Sequence, residues 1–218
     1  MRTTVKTLLA ATGLAATLAV PANAAIIGAV SGVINAGGPG FGTLAETINQ
    51  AGLSATYIPG VTDFDSFVAG TTHTTTFNGS EWLSNIGTTA ATVTYDLGSV
   101  KRIDKMALWN EESSGIGLLN LLVSSDGVGF SALLSGLTPT DHPYADYVAD
   151  VFTFAATSFR FIQLDMSLCP QQNPGTFAGC AIGEVAFNEV AAIPVPAAGF
   201  LLLGALGGLV ALRRRKTA

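Results

Sequence analysis

The chain has 218 residues, a formal net charge of −5 at pH 7, and hydrophobic residues at 49% of its positions. Residues 25–192 carry only four Lys and Arg but all 15 Asp and Glu, which gives that region a net charge of −11. So acidic a surface repels phosphate groups. The composition therefore excludes a nucleic-acid-binding protein and suits a neutral ligand, a divalent cation or simple solubility.

The first 24 residues have the three parts of a secretory signal peptide. Arg2 and Lys6 make the start positive, residues 8–20 are apolar, and Ala22-Asn23-Ala24 has the A-x-A form of a cleavage site. We expect cleavage after this triplet and export of the protein. Residues 25–192, which come next, number 168, the size of one domain.

Within this region the pattern is one of short strands separated by turns. The predicted strands cover residues 93–97, 102–109, 118–124, 130–134, 151–155, 159–165 and 181–188. Strands of this length, with no helical period between them, are typical of an antiparallel β-sandwich. Only residues 43–51 are predicted to be helical, because Thr43 and Glu46 fit a capping box and Gly52 comes next as a stop.

The two cysteines, Cys169 and Cys180, lie in one Pro- and Gly-containing segment. In an oxidising compartment an isolated pair predicts a disulfide, and closing so short a loop contributes roughly 2–3 kcal/mol through chain entropy. A metal site would need further Cys or His nearby, and none is present.

Three large side chains are predicted to have structural roles. Trp82 and Trp109 are expected in the core, because such large apolar groups are usually buried. At a loop tip, either ring would instead offer a flat face to a sugar. Arg160 is predicted to pair with Asp96 or Asp104.

The C-terminal residues 193–218 have a three-part pattern. Pro194-Val195-Pro196-Ala197 precedes a Gly-containing apolar run at 198–212, which ends at Arg213-Arg214-Arg215-Lys216. The pattern resembles the PEP-CTERM family of sorting signals, in its V-P-x-P-A variant. The alternative is a plain C-terminal membrane anchor.

This resemblance implies a single transmembrane helix that an exosortase-type protease recognises and processes. The basic cluster would stay on the cytoplasmic side. The protein would thus be anchored in the inner membrane in transit, and then reach the periplasm, the outer surface or the extracellular matrix. Such tails occur in Gram-negative bacteria that make extracellular polysaccharide, which is therefore an expected partner.

Five blocks of the central region resemble a second family, the discoidin or coagulation-factor type C domains. In order, the blocks are Trp82-Leu83-Ser84 and residues 93–103, 122–130, 159–164 and 181–187. The resemblance implies an all-β, galactose-binding-like fold, an antiparallel jelly-roll β-sandwich. Members of the family bind glycans, other proteins or phospholipid headgroups.

The same resemblance implies a structural Ca²⁺ between the loop before the W-x-S element and the Glu of the closing strand. Asn78, Ser80 and Glu184 occupy those positions here, and Asp63 and Asp65 are alternative oxygen donors. The alternative for Glu184 is a strand-edge carboxylate near a Lys or Arg.

A candidate ligand-binding rim lies at the end of a predicted strand. It consists of Trp109, Asn110, Glu111 and Glu112, because neighbouring carboxylates after an aromatic ring can bind sugar hydroxyls or cations. The alternative for residues 110–114 is a solvated turn.

No set of residues predicts catalysis. His73 and His142 have no nucleophile or metal ligand at a recognisable spacing, and both are predicted to lie on the surface. Adjacent carboxylates do not by themselves set the separation that glycoside hydrolysis needs. We therefore expect no enzyme.

Together these features predict an exported, surface-sorted, non-catalytic module that binds or associates with extracellular polysaccharide. The alternative is a structural matrix or surface protein whose sandwich domain recognises a protein partner. No cofactor is expected beyond the structural Ca²⁺.

Overall fold

The computed structural model describes residues 24–172 and 177–190. The predicted signal peptide and the predicted sorting segment, with its helix, lie outside the described residues. Among the residues that are described, no helix has both the length and the hydropathy to span a bilayer.

The described part of the chain consists mainly of antiparallel strands, with a 3₁₀ helix at Leu44–Ile48 and one α-helix, α1, at Phe64–Gly70. The strands are β1 (Ala25–Ile27), β2 (Ser31–Ala36), β3 (Thr72–His73), β4 (Trp82–Leu83), β5 (Ala90–Trp109), β6 (Leu118–Ser124), β7 (Ser131–Leu137), β8 (Tyr147–Val148), β9 (Asp150–Ser167), β10 (Ala181–Ile182) and β11 (Glu184–Glu189).

Two long strands, β5 and β9, belong to both layers of a sandwich. The first part of β5 pairs with β2 and with the end of β9, which continues to β6 and β7. The second part of β5 pairs with β11 and with the start of β9, and β11 pairs with β1. All these pairings are antiparallel, and the predicted jelly-roll β-sandwich is confirmed.

The predicted turn at Gly98 is instead a bend within β5. Gly98 has φ of +81°, a left-handed conformation that glycine adopts without steric cost, and the pairing of β5 with β9 shifts between Asp96 and Lys101. The predicted strands 93–97 and 102–109 are thus one bent strand, as are 151–155 and 159–165. The bend carries the second half of β5 into the other layer.

The core between the layers matches the two-residue period of the strands. In the first half of β5, Ala91, Val93, Tyr95 and Leu97 are buried and alternate with more exposed residues. Trp82 lies in the same core, as predicted.

The last four residues of β5, 106–109, are buried on both faces of the strand. Met106 and Leu108 face the sandwich core, whereas Trp109 packs in a second cluster with Phe64 and Phe67 of α1. The end of β5 therefore has no solvent-facing side, and the loop that continues from Trp109 begins inside the protein.

The predicted short helix is confirmed as the 3₁₀ turn, with the capping box of Thr43 and Glu46 in place. Helix α1 was not predicted. It begins after Asp63, whose carboxylate accepts a hydrogen bond from the Ser66 N–H at 2.8 Å, and Asp65 forms an ion pair with Lys105 at 2.7 Å. Both alternative calcium donors thus already have partners within the protein.

Two predicted covalent and ionic links are confirmed. Cys169 and Cys180 form a disulfide. Arg160 on β9 donates two hydrogen bonds of 2.8 Å to the carboxylate of Asp96 on β5.

Candidate functional site

A cavity of about 400 Å³ lies where several loops meet beyond the end of β5. Its rim is apolar and largely aromatic, and four of its side chains are unusually exposed: Phe41 (49%), Phe77 (54%), Tyr144 (64%) and Ile86 (69%). Phe177, from the disulfide-closed loop, packs edge-to-face on Phe41 with ring centroids 5.7 Å apart. These rings stand in solvent although apolar rings of this size usually become buried.

The floor of the cavity is acidic. Glu81, which precedes β4, and Glu111 and Glu112, which come after β5, all line the cavity and are at most 3% exposed. One carboxylate oxygen from each lies within 4.8 Å of the other two. No Lys or Arg of the described residues lines this cavity.

The loop after β5 is held in place by Trp109 and Asn110. The Trp109 indole N–H donates to the Thr71 carbonyl at 3.2 Å. The Asn110 side chain donates to Thr140 O at 2.9 Å and accepts from the Ile116 N–H at 2.8 Å. These hydrogen bonds fix the backbone from which the next two glutamates project.

The four residues predicted to form a ligand-binding rim are therefore only partly those that line the cavity. Glu111 and Glu112 line the cavity, whereas Trp109 and Asn110 are fully buried beneath it and do not line it. The alternative, a solvated turn at 110–114, is wrong, because all five residues are buried. The loops that carry the aromatic rim cover them.

Burial dominates the electrostatics of the floor. It raises the pKa of Glu81 to about 8, with a smaller contribution from the charge of Glu111. It likewise raises the pKa of Glu112 to about 8, again with Glu111 adding to the effect, and it raises the pKa of Glu111 itself. Burial thus favours the protonated form of all three carboxyl groups.

A few neutral donors partly satisfy these carboxylates. Ser113 donates to Glu111 through its N–H at 3.0 Å and its hydroxyl at 2.6 Å. The Tyr147 hydroxyl donates to Glu81 at 3.1 Å. One carboxylate oxygen of Glu112, Oε2, is buried and has no hydrogen-bond partner among the residues that the structure describes.

The prediction that His73 and His142 lie on the surface is wrong. Both are buried, and both rings pack on Tyr147, with centroids 5.1 and 5.6 Å away. Burial lowers the pKa of each imidazole, so both favour the neutral form. His73 Nδ1 lies 3.4 Å from Glu81 Oε1 and 2.9 Å from the Tyr147 hydroxyl.

The residues of the predicted calcium site have mixed environments. Asn78 is exposed, whereas Ser80 and Glu184 are buried. Glu184 accepts a hydrogen bond from the Gln50 N–H at 3.1 Å, and burial raises its pKa to about 9. The alternative of an edge carboxylate near a Lys or Arg is wrong, because Glu184 is fully buried. Calcium binding by these three residues stays a prediction.

The aromatic rim and Glu81 were not predicted from the sequence. The signal for the rim was present, because each ring lies in a loop-forming segment. Phe41 falls in a Gly-rich run, Phe77 precedes Asn78-Gly79, Tyr144 comes after a proline and Phe177 lies between the two cysteines. Glu81 has no comparable signal beyond its position next to Trp82.

Comparison with protein-family models and with curated proteins finds no match. Among solved structures, the chain is similar to the CBM32 module of AlyQ in complex with 4,5-unsaturated mannuronic acid, at 18% identity and a TM-score of 0.47, over 74% of this chain and 96% of that one. It is also similar to CpGH89CBM32-5 from Clostridium perfringens in complex with GalNAc-beta-1,3-galactose, at 14% identity and a TM-score of 0.49, over 72% and 93%.

A third similar structure is the chitosan-binding module 2 of a Paenibacillus sp. IK-5 chitosanase/glucanase in complex with chitotriose, at 23% identity and a TM-score of 0.38, over 48% and 74%. All three TM-scores are below 0.5 and all three identities below 25%. The assignment of the β-sandwich therefore depends on the strands of this chain itself.

Proposed function

We propose that the protein is a non-catalytic carbohydrate-binding module whose ligand occupies the cavity beyond β5. The observation that carries this proposal is an exposed aromatic rim above a buried carboxylate floor. Sugars have apolar C–H faces and polar hydroxyl edges. Aromatic rings complement the first, and carboxylate oxygens accept hydrogen bonds from the second.

The size and charge of the cavity restrict the ligand. Its volume of about 400 Å³ falls in the range of small-molecule sites, so it suits a short stretch of a glycan. The acidic floor and the strongly acidic domain disfavour polyanions. A neutral, hydroxyl-rich extracellular polysaccharide fits both properties best.

A glycan array probed with the purified full chain tests this proposal. We expect binding to a set of neutral oligosaccharides, together with retardation of the protein in gels that contain the parent polymer. An array with no positive glycan, from protein that is folded by circular dichroism, would contradict the proposal.

The same preparation tests the absence of catalysis. Incubation with each bound polymer should release no reducing ends above a buffer control. Release of reducing ends that is abolished by Glu81→Gln would instead assign the carboxylates to hydrolysis.

The second candidate is a structural matrix or surface protein with a protein partner. It is favoured by Ile86, an aliphatic side chain that is 69% exposed at the rim, because an aliphatic group cannot stack on a sugar as a ring can. This alternative would be supported if the extracellular matrix loses integrity when the protein is deleted and the protein binds no glycan on the array.

We also propose that the protein is exported and sorted through its two terminal segments. The motif at 194–197, the apolar run and the basic stop support processing by an exosortase-type protease after membrane anchoring in transit. The disulfide fits an oxidising compartment outside the cytoplasm. Mass spectrometry of the released protein should find Ala25 at the N-terminus and the residues after 197 removed.

A matched variant tests the sorting motif. Changing Pro194 and Pro196 to Ala should leave the protein in the inner membrane, whereas Pro170→Ala, in the disulfide loop, should not. Release of the motif variant at the normal level would contradict the proposal.

Calcium at Asn78, Ser80 and Glu184 is a further proposal. Buried oxygens without hydrogen-bond partners on Ser80 and Glu184 fit a hard cation, which needs six to eight oxygen ligands. A smaller calcium-dependent rise in Tm in Glu184→Gln than in the wild type would support it, and an unchanged rise would contradict it.

A further inference from the structure

The cluster Glu81, Glu111 and Glu112 has the geometry of a cation site. In proteins Ca²⁺ lies 2.3–2.6 Å from its oxygens, so two oxygens on one ion are at most about 5.2 Å apart. The three carboxylate oxygens of the cluster lie within 4.8 Å of one another, which meets this limit without rearrangement of the backbone. All three side chains are more than nine-tenths buried.

A second observation points into the cavity. Glu112 Oε2 is buried, has no hydrogen-bond partner in the described part of the chain, and belongs to a residue that lines the cavity. An unpaired buried carboxylate is costly, because desolvation is not repaid by any partner. A bound cation would supply the missing partner.

The residues that the structure describes place no positive charge at this cluster. Lys101, Lys105 and Arg160 form ion pairs elsewhere, and no Lys or Arg among the described residues lines the cavity. Three acidic groups therefore face one another, with no Lys or Arg from the described ranges beside them in the cavity.

The donor set selects the type of cation. All three ligands are carboxylates, which suit hard ions such as Ca²⁺, whereas Zn²⁺ prefers Cys and His. Three carboxylates supply between three and six of the oxygens that Ca²⁺ requires. The open side of the cavity leaves the remaining positions to water or to a ligand.

We propose that Glu81, Glu111 and Glu112 bind a Ca²⁺ ion on the floor of the cavity. Sugar hydroxyls complete the coordination of this ion when a glycan binds. This second half rests on the proposed carbohydrate function, whereas the ion site itself does not. The site is separate from the predicted one at Glu184, which is not part of the cluster.

Calcium titration of the EDTA-stripped full chain, by calorimetry, tests the ion site. We expect saturable binding that Glu112→Gln weakens by about tenfold or more, since affinity depends on the number of ligand charges. The matched control Glu189→Gln removes a surface carboxylate paired with Lys101 and should leave the affinity within about twofold.

Thermal stability separates loss of the ion from loss of the fold. In EDTA, Glu112→Gln should melt at or above the wild-type Tm, because it replaces a buried acidic group by an uncharged amide of the same shape. With Ca²⁺, the wild type should gain more Tm than the variant. No calcium binding by the wild type, or equal affinity in Glu112→Gln, would overturn the proposal. So would binding that disappears in Glu184→Gln alone.

Glycan binding measured with Ca²⁺ and with EDTA separates the two proposals. Calcium binding without any glycan binding would contradict the carbohydrate function and leave the ion site standing. Equal glycan affinity in both buffers would contradict coordination of the sugar by the ion. Loss of glycan affinity in EDTA and in Glu112→Gln, but not in Glu189→Gln, supports both halves.

Discussion

Two polar segments, one at the bend of β5 and one just after its end, have opposite environments. At the bend, residues 98–100 and Arg102 are exposed, and the flanking charges of Asp96 and Lys101 form ion pairs with Arg160 and Glu189. After the end of β5, residues 110–114 are all buried, and their carboxylates have no basic partner among the described residues that line the cavity.

The contrast is between charges that are paired and carboxyl groups that are buried without a basic partner among the described residues. At the bend, each charged side chain lowers the free-energy cost of placing its oppositely charged partner there. These pairs stabilise the bend that takes the strand into the second layer. Beyond the end of the strand, burial without compensation costs stability, and such an arrangement is typical of a binding site. Variants in each segment test whether the two really differ in this way.

The largest expected effect on stability is at the end of β5. Trp109→Ala should lower the free energy of unfolding by about 3–5 kcal/mol, because it leaves a cavity in the second core cluster. Urea denaturation of the full chain measures this. Val100→Ala, at the exposed bend, is the matched control and should change stability by less than about 0.5 kcal/mol. Similar losses in the free energy of unfolding for both variants would show that the two segments do not differ in burial as described.

The disulfide should have the next largest effect. Changing Cys169 and Cys180 to Ser should cost about 3 kcal/mol, because the reduced chain regains the entropy of a loop closed over 11 positions. Glycan affinity should fall as well, since Phe177 lies in this loop and lines the cavity. A double variant with unchanged urea midpoint and affinity would show that the loop does not depend on the bond.

The rim should affect binding without affecting folding. Tyr144→Ala should weaken glycan binding by about 1–2 kcal/mol, or roughly five- to thirtyfold, as expected for an aromatic anchor at a binding site. Because Tyr144 is 64% exposed, its loss should leave the urea midpoint unchanged. A fall in stability as large as the fall in affinity would show that this ring is a packing residue.

The smallest effect is expected from the ion pair at the bend. The hydrogen bonds from Arg160 hold the pKa of Asp96 below its usual value, with a further contribution from the Gly98 N–H. A lowered pKa means that the stabilisation is present above the ordinary carboxyl pKa of about 4 and is lost as the pH falls below it. Asp96→Asn should therefore be less stable than the wild type at pH 7, and this difference should shrink by pH 3. If the stability difference between the two proteins is the same at pH 7 and pH 3, ionisation of Asp96 does not contribute to stability.

The features that sequence predicted are those set by local pattern. Alternation in β5 identified its buried face, the two cysteines identified the disulfide, and Arg160 has the partner that its charge required. The short capping box at Thr43 is likewise a local signal. Each depends on residues that are close in sequence or on the chemistry of one pair.

The features that sequence did not predict depend on packing between distant segments. His73 and Asn110 are polar, and polar residues adjoin them in the sequence, so the local pattern does not predict burial. Both are nevertheless buried by segments that are distant in the sequence. Gly98-Ser99 has the composition of a turn, but the strand continues through it, because its first half pairs with β2, its second half pairs with β11, and both halves pair with β9. Helix α1 is short, and its cap at Asp63 resembled a metal ligand.

The central claim is that the cavity binds carbohydrate, and a Phe77→Ala, Tyr144→Ala double variant tests it most directly. The glycan that binds the wild type most tightly on the array is titrated into both proteins by calorimetry in Ca²⁺. If the cavity is the carbohydrate site, the affinity should fall by at least about thirtyfold while the urea midpoint stays unchanged. A double variant that binds the glycan as tightly as the wild type would contradict the account.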